Sequence, residues 1–252
     1  MIKIIPFLLL SILSLNLAAE TAEEKGLAIA QEADKRDEGF SSFTSDIKMI
    51  LKNRQGQESI REIRSKTLEV QDDGDKSLTI FDTPNDVKGT AFLSFTHKSG
   101  PDDQWLYLPA LKRVKRIASD NKSGPFMGSE FAYEDITSQE VDKYTYKYIR
   151  DDKLDGMDVF VFERYPVDEK SGYTRQIVWM DKENYKERKV EYFDRKNSAL
   201  KTLVLNDYNL YKDKFWRPGN MFMENHQTGK STRLLQSNYD FDVELTAVSY
   251  TH

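Results

Sequence analysis

The residues that could carry out a reaction are few and scattered. Three histidines, His97, His226 and His252, lie far apart, so no pair has the short spacing that puts two imidazoles on one metal. Cysteine is absent, which removes thiol nucleophiles and zinc ribbons. Gly128-Ser129-Glu130 does not fit the G-x-S-x-G nucleophile elbow, and no glycine-rich run has the spacing of a phosphate loop. The acidic pairs Asp72-Asp73, Asp102-Asp103 and Asp151-Asp152 sit at turn signals and lack the alternating ligands of a calcium loop. The expectation is a protein that is not an enzyme, with no catalytic residue, metal or cofactor.

Composition narrows the class further. Met1 to Ala19 reads as a cleavable export signal: Lys3 is the charged start, Ile4 to Leu17 is apolar, and Ala18-Ala19 supplies small residues for cleavage. An apolar run of this length falls short of the roughly 20 residues that span a bilayer. Residues 20–252 are then one exported, soluble domain in the periplasm. Without cysteine it has neither disulfides nor a lipoprotein anchor. The 252 residues carry 37 basic and 42 acidic side chains, a net charge of −5, which gives no electrostatic reason to expect nucleic acid.

The elements that position the rest are mostly strands. Glu20 to Glu38 is the exception: it is rich in Ala, Glu, Lys and Leu, with Thr21 and Glu24 at capping-box spacing and Gly39 as a stop. From Phe40 the period becomes two. Alternating runs begin near Phe43, Ser59, Lys76, Thr90 and Asp103, and again near Tyr144, Val159, Tyr173, Asn184, Ala199, Phe215 and Ser231. Short turns between them, such as Asp155-Gly156, predict an antiparallel meander of ten to twelve strands. Charged residues make up 31% of the chain. That is high for a filled β core and suits a curved sheet around a cavity.

One stretch, Asp102–Asp135, departs from this pattern. In its first strand Trp105 and Tyr107 face one side and Leu106 and Leu108 the other. Lys112, Arg113, Lys115 and Arg116 follow, either as a solvated run that blunts a sheet edge or as a docking patch for an acidic partner or anionic head groups. Phe126, Met127, Phe131 and Tyr133 then come within eight residues, as core or as a mobile apolar lid or plug, with a short helix starting at Gly128 or Ser129 and running through Asp135. Trp179 and Trp216 are further aromatics for a core or cavity, and Met221 and Met223 share one strand face.

The run DDQWLYLPALKRVKRI…NKSGPFMGSEFAYED resembles the LolA-like outer-membrane lipoprotein-sorting proteins, in the branch associated with RND-type lipid exporters. GLAIAQEADKRDEGF at Gly26–Phe40, DVKGTAFLSFTHK at Asp86–Lys98, SGYTRQIVWMD at Ser171–Asp181 and LKTL at Leu200–Leu203 support it. The resemblance implies an incomplete antiparallel β-barrel, capped by helices over an apolar cavity that receives acyl chains. It implies a monomeric carrier of a lipoprotein or another lipid between an inner-membrane exporter and an outer-membrane acceptor. A non-carrier accessory or scaffold subunit of an exporter shares the fold and is the alternative.

Overall fold

Alternation at period two builds the molecule almost entirely from strands. In a computed structural model that describes residues 19–245, one helix precedes thirteen strands. The export signal expected over residues 1–19 lies, but for Ala19, outside the described residues. The helix α1 (Ala22–Asp37) opens on a true capping box: the Glu24 amide donates to Thr21 Oγ1 at 3.1 Å, and the Thr21 amide donates to the Glu24 carboxylate at 2.8 Å. It ends at Glu38, and Gly39 follows with φ +89°, the left-handed position expected of it.

The strands are β1 (Ser42–Lys52), β2 (Glu58–Leu68), β3 (Lys76–Thr83), β4 (Ala91–Phe95), β5 (Asp103–Leu108), β6 (Arg113–Arg116), β7 (Tyr144–Leu154), β8 (Met157–Pro166), β9 (Tyr173–Asp181), β10 (Glu187–Asp194), β11 (Ala199–Tyr211), β12 (Phe215–Asn225) and β13 (Lys230–Phe241). They form one antiparallel sheet in the order β6-β5-β4-β3-β2-β1-β13-β12-β11-β10-β9-β8-β7. Every neighbouring pair is adjacent in the chain except β1 and β13. The sheet therefore curls without closing, with β6 and β7 as its free edges. This is the expected incomplete barrel. The strand count exceeds the expected ten to twelve because the basic run Arg113–Arg116 pairs with β5 as a short edge strand.

Register fixes which side chains face inward. Met49 lies between Arg61 and Leu234 on the concave face, and Met221 lies between Leu205 and Leu234. Phe81, Phe92, Phe162, Val178, Val190 and Met223 are fully buried there. Burying side chains of this size removes most of the apolar surface that drives the sheet to curl.

The connection from β6 to β7 does not pass outside. Residues 117–143 run through the concave side as a series of short 3₁₀ turns, Phe126–Gly128 and Tyr133–Asp135 among them. The short helix expected from Gly128 or Ser129 through Asp135 is replaced by these two separate turns, with residues 129–132 non-helical between them. Phe126 packs against Phe81, Phe92 and Tyr133 with ring centres 5.9, 5.2 and 5.5 Å apart. The helix α1 lies against β7 so closely that a Cβ on Gly26 would come within 2.9 Å of the Tyr148 amide nitrogen. Only glycine admits this approach.

Candidate functional site

A cavity of about 1020 Å³ opens inside the curved sheet. Its position follows from the fold. The strands wrap around it, α1 contributes Ala30, Ala33, Asp34 and Asp37 to its mouth, and residues 131–141 close part of its interior. Its two walls differ. On one, Ile47, Phe162, Met180, Leu205, Met221 and Leu234 present apolar side chains. On the other, β1, β2 and β3 present Ser45, Ser65, Thr67, Ser77 and Thr79.

Ion pairs hold the mouth in shape. Arg217 Nη1 and Lys186 Nζ each donate to Asp37 Oδ1 at 2.7 Å, which ties the end of α1 to β12 and to the turn before β10. Burial pushes the Asp37 carboxyl up, but the two cations more than offset this and hold it below its ordinary value. The Arg217 guanidinium sits 5.4 Å from the ring centres of both Phe40 and Phe43. Deeper in, Arg164 is buried and donates at 2.6 Å to both Gln176 Oε1 and Glu187 Oε1. Two carboxyls on the mouth have no such partner: burial pushes Asp75 up to about 6 and Glu140 up to about 7.

The inner segment is held by polar contacts at both ends of its aromatic run. The Glu130 amide donates to Thr232 Oγ1 at 3.0 Å, and Asn225 Nδ2 donates to the Glu130 carboxylate at 2.7 Å. Lys201 Nζ donates to the Glu130 carbonyl at 2.9 Å and to Asp135 Oδ2 at 2.6 Å. Tyr173 also donates to Asp135, at 2.9 Å. Glu134 accepts from Ser171 Oγ and the Gly172 amide, both at 2.8 Å. Sequence reasoning singled out the aromatics of this run and missed the charges that pin them. The LKTL piece contained Lys201, but a lysine in an alternating strand reads as solvent-facing.

The residues expected to matter fall into three places. Phe131, Trp216 and Met221 line the cavity. Phe126 and Met223 lie in the packed core, with Met127 and Tyr133 against it. Trp105, Tyr107 and Trp179 do not line the cavity. They alternate with buried Gln104, Leu106, Val178 and Met180, so they occupy the convex face. There Trp105 packs on Phe95, 5.3 Å between ring centres, and Lys189 covers Trp179 at 4.3 Å. Lys112, Arg113, Lys115 and Arg116 are all exposed, on or beside edge strand β6, with Arg116 paired to Asp103. Leu111 and Val114 beside them are 63% and 65% exposed. This hairpin stands apart from the cavity.

No group of three or more histidine and acidic side chains that could hold a metal occurs among the described residues. No helix among them is long and apolar enough to cross a membrane.

A Vibrio parahaemolyticus domain classed with the outer-membrane lipoprotein-sorting proteins shares 57% identity, over 90% of this chain and 97% of that one, with a TM-score of 0.89. The chain belongs to the outer-membrane lipoprotein-sorting protein family. A DUF1329 family protein from Desulfovibrio piger, 29% identical over 92% of this chain and 98% of its own, superposes with a TM-score of 0.86. A LolA superfamily protein from Nitrosomonas europaea shares the fold at 20% identity, with a TM-score of 0.71 over 90% of this chain and 97% of that one. A family described only as "Uncharacterized protein" matches residues 73–252. Comparison with curated proteins gave no match. The LolA-like fold accounts for the open barrel, the helix at its mouth and the cavity between them.

Proposed function

We propose that this LolA-like protein is a periplasmic carrier. It covers the acyl chains of a lipoprotein or lipid inside the curved sheet and passes them between an inner-membrane exporter of the RND type and an outer-membrane acceptor. The observation that carries this reading is the cavity of about 1020 Å³ lined on one side by Ile47, Phe162, Met180, Leu205, Met221 and Leu234, in a chain whose family is named for lipoprotein sorting. Its volume is at the upper end for small-molecule sites, which run from about 300 to 1,000 Å³.

The physical need is simple. Each acyl methylene withdrawn from water is worth about 0.8 kcal/mol, so a long chain does not cross an aqueous space unaided at a useful rate. A carrier must cover the chain and later release it to a site that binds it better. The exposed hairpin β5–β6, with Lys112, Arg113, Lys115 and Arg116, suits docking to anionic head groups or an acidic partner. Nothing in the reading calls for catalysis, and hand-off of this kind works with a monomer.

One observation favours the accessory-subunit alternative. Phe126 and Phe131 are each only 1% exposed, so part of the interior is filled by the chain itself. Native mass spectrometry of the purified protein, with titration of the uncharged fluorophore N-phenyl-1-naphthylamine, separates the two. A bound acyl species and saturable uptake are expected. A folded protein with neither would be an accessory subunit.

A further inference from the structure

Leu111 and Val114 are the two most exposed large apolar side chains among the described residues. They share the tip of one hairpin. Leu111 ends the short turn between β5 and β6, and Val114 lies opposite Tyr107, itself 37% exposed. Lys112, Arg113 and Lys115 stand between and beside them, with no acid in ion-pairing range among the described residues. Blunting a sheet edge against strand pairing calls for the cations alone. It does not call for bare apolar side chains among them.

The convex face behind the tip continues the apolar surface. Register sets two rows across β3, β4 and β5: Leu78, Leu93 and Trp105 in one, Ile80, Ala91 and Tyr107 in the other. Cations flank these rows and do not interrupt them. Lys66 and Arg64 stand at one end, and Arg116 ends the first row at the other. Arg64 and Arg116 are paired with Asp82 and Asp103. The same face of β8 to β10 is built differently: Ile177 lies between Glu163 and Glu191, and Trp179 is opposite Lys189. Charge breaks each row there, as on an ordinary solvated sheet face.

The shape of the hairpin decides between partners. All four residues of β6 are exposed, those opposite Leu106 and Leu108 as well as those opposite Trp105 and Tyr107. Both faces of the strand are in solvent, so the hairpin projects beyond the body of the sheet. The surface of an acidic protein would meet the cations of one face. The head-group layer of an anionic membrane surrounds an inserted hairpin and meets both, while the acyl boundary receives its apolar tip. Tyrosine suits that boundary because its apolar ring carries a polar handle. Lysine and arginine reach back to the phosphates on long stems.

We propose that the β5–β6 hairpin inserts into the surface of an anionic membrane, with Tyr107, Leu111 and Val114 at the acyl boundary and Lys112, Arg113 and Lys115 among the phosphates. This rests on the docking role given to the hairpin in the carrier reading, and adds which surface it meets and that the contact is apolar as well as electrostatic.

Vesicles of equal parts phosphatidylcholine and phosphatidylglycerol test it, with phosphatidylcholine vesicles and soluble polyglutamate as controls. Leu111→Trp places an indole at the tip. Its emission, measured as the difference from wild type, is expected to shift to the blue and to be shielded from acrylamide on the anionic vesicles and with neither control. Leu111→Ser/Val114→Ser, with all cations kept, is expected to weaken sedimentation with the anionic vesicles about tenfold. Its melting temperature and its uptake of N-phenyl-1-naphthylamine in solution are expected to be unchanged. An indole that stays accessible on the vesicles, an equal spectral shift with polyglutamate, or a double variant that sediments as strongly as wild type overturns insertion and leaves the carrier reading in place. Failure of the wild-type protein to take up N-phenyl-1-naphthylamine overturns the carrier reading and not the insertion.

Discussion

Lys201 on β11 and Asp135 in the inner segment form an ion pair at 2.6 Å, with side chains only 4% and 5% exposed. Removing one partner leaves the other charged and buried. Lys201→Met is therefore expected to cost about 3–5 kcal/mol in urea unfolding. The double variant Lys201→Met/Asp135→Asn is expected to cost less than the two single changes added together, because no uncompensated charge remains. Limited proteolysis is expected to cut residues 117–143 in the Lys201 variant first.

The cavity and the convex face give opposite outcomes on substitution. Met221→Trp projects from between Leu205 and Leu234 into the cavity and is expected to reduce probe uptake about tenfold, since the larger ring takes up space the probe would occupy. Trp105→Ala and Trp179→Ala remove larger side chains but act on the outer face, so uptake is expected to stay within about twofold of wild type. Fluorescence titration of the three variants checks this. Equal losses in all three would assign the signal to general destabilisation.

Charge reversal of Lys112, Arg113, Lys115 and Arg116 to glutamate is expected to weaken binding to anionic vesicles or an acidic partner, by about 1 kcal/mol per residue near a membrane surface. Acyl uptake is expected to be unchanged, because these side chains are separate from the cavity. Vesicle sedimentation at low and high salt reads the effect, which fades as salt screens it. Loss of uptake together with docking would make the strand a structural edge only.

Asp75 and Glu140 set a pH dependence of unusual sign. Burial raises them from ordinary carboxyl values to about 6 and about 7, so the folded protein holds protons that the unfolded chain releases. Stability is then expected to rise as pH falls from about 7 toward 4.5, and to be lost as pH rises back through that window. Glu140→Gln is expected to flatten the profile and to stabilise the protein at pH 7.5. Thermal melts across the window measure both. Melting temperatures that fall on mild acidification would contradict it.

Much of the fold was legible in the sequence because alternation and turn chemistry are local. The capping box at Thr21 and Glu24 and the Asp155-Gly156 hairpin needed only neighbouring residues, and the structure contains both. Inside and outside were harder. Trp105 and Leu106 were correctly placed on opposite faces of β5, but nothing local says which face is concave; that depends on the curl of the whole sheet. The hydroxyl wall was hidden for the same reason. Ser65 and Thr67 alternate with Arg64 and Lys66, so both faces of β2 look polar, and only the register with β1 and β3 shows that one of them is interior. Glu130 and Asp135 were invisible as anchors because their partners lie 38 to 102 residues away.

The order of the sheet has a consequence for how the chain assembles. The strands β1 to β6 and β7 to β13 are two meanders in which each strand pairs with its chain neighbour. Both can zip locally at small loop-closure cost. Among the described residues the only long-range ladder is β1–β13, which joins the first strand to the last. Pulse-labelled hydrogen exchange during refolding should therefore protect the hairpins first and the amides of that seam last. The binding chamber would be assembled in the same late step that joins the two halves.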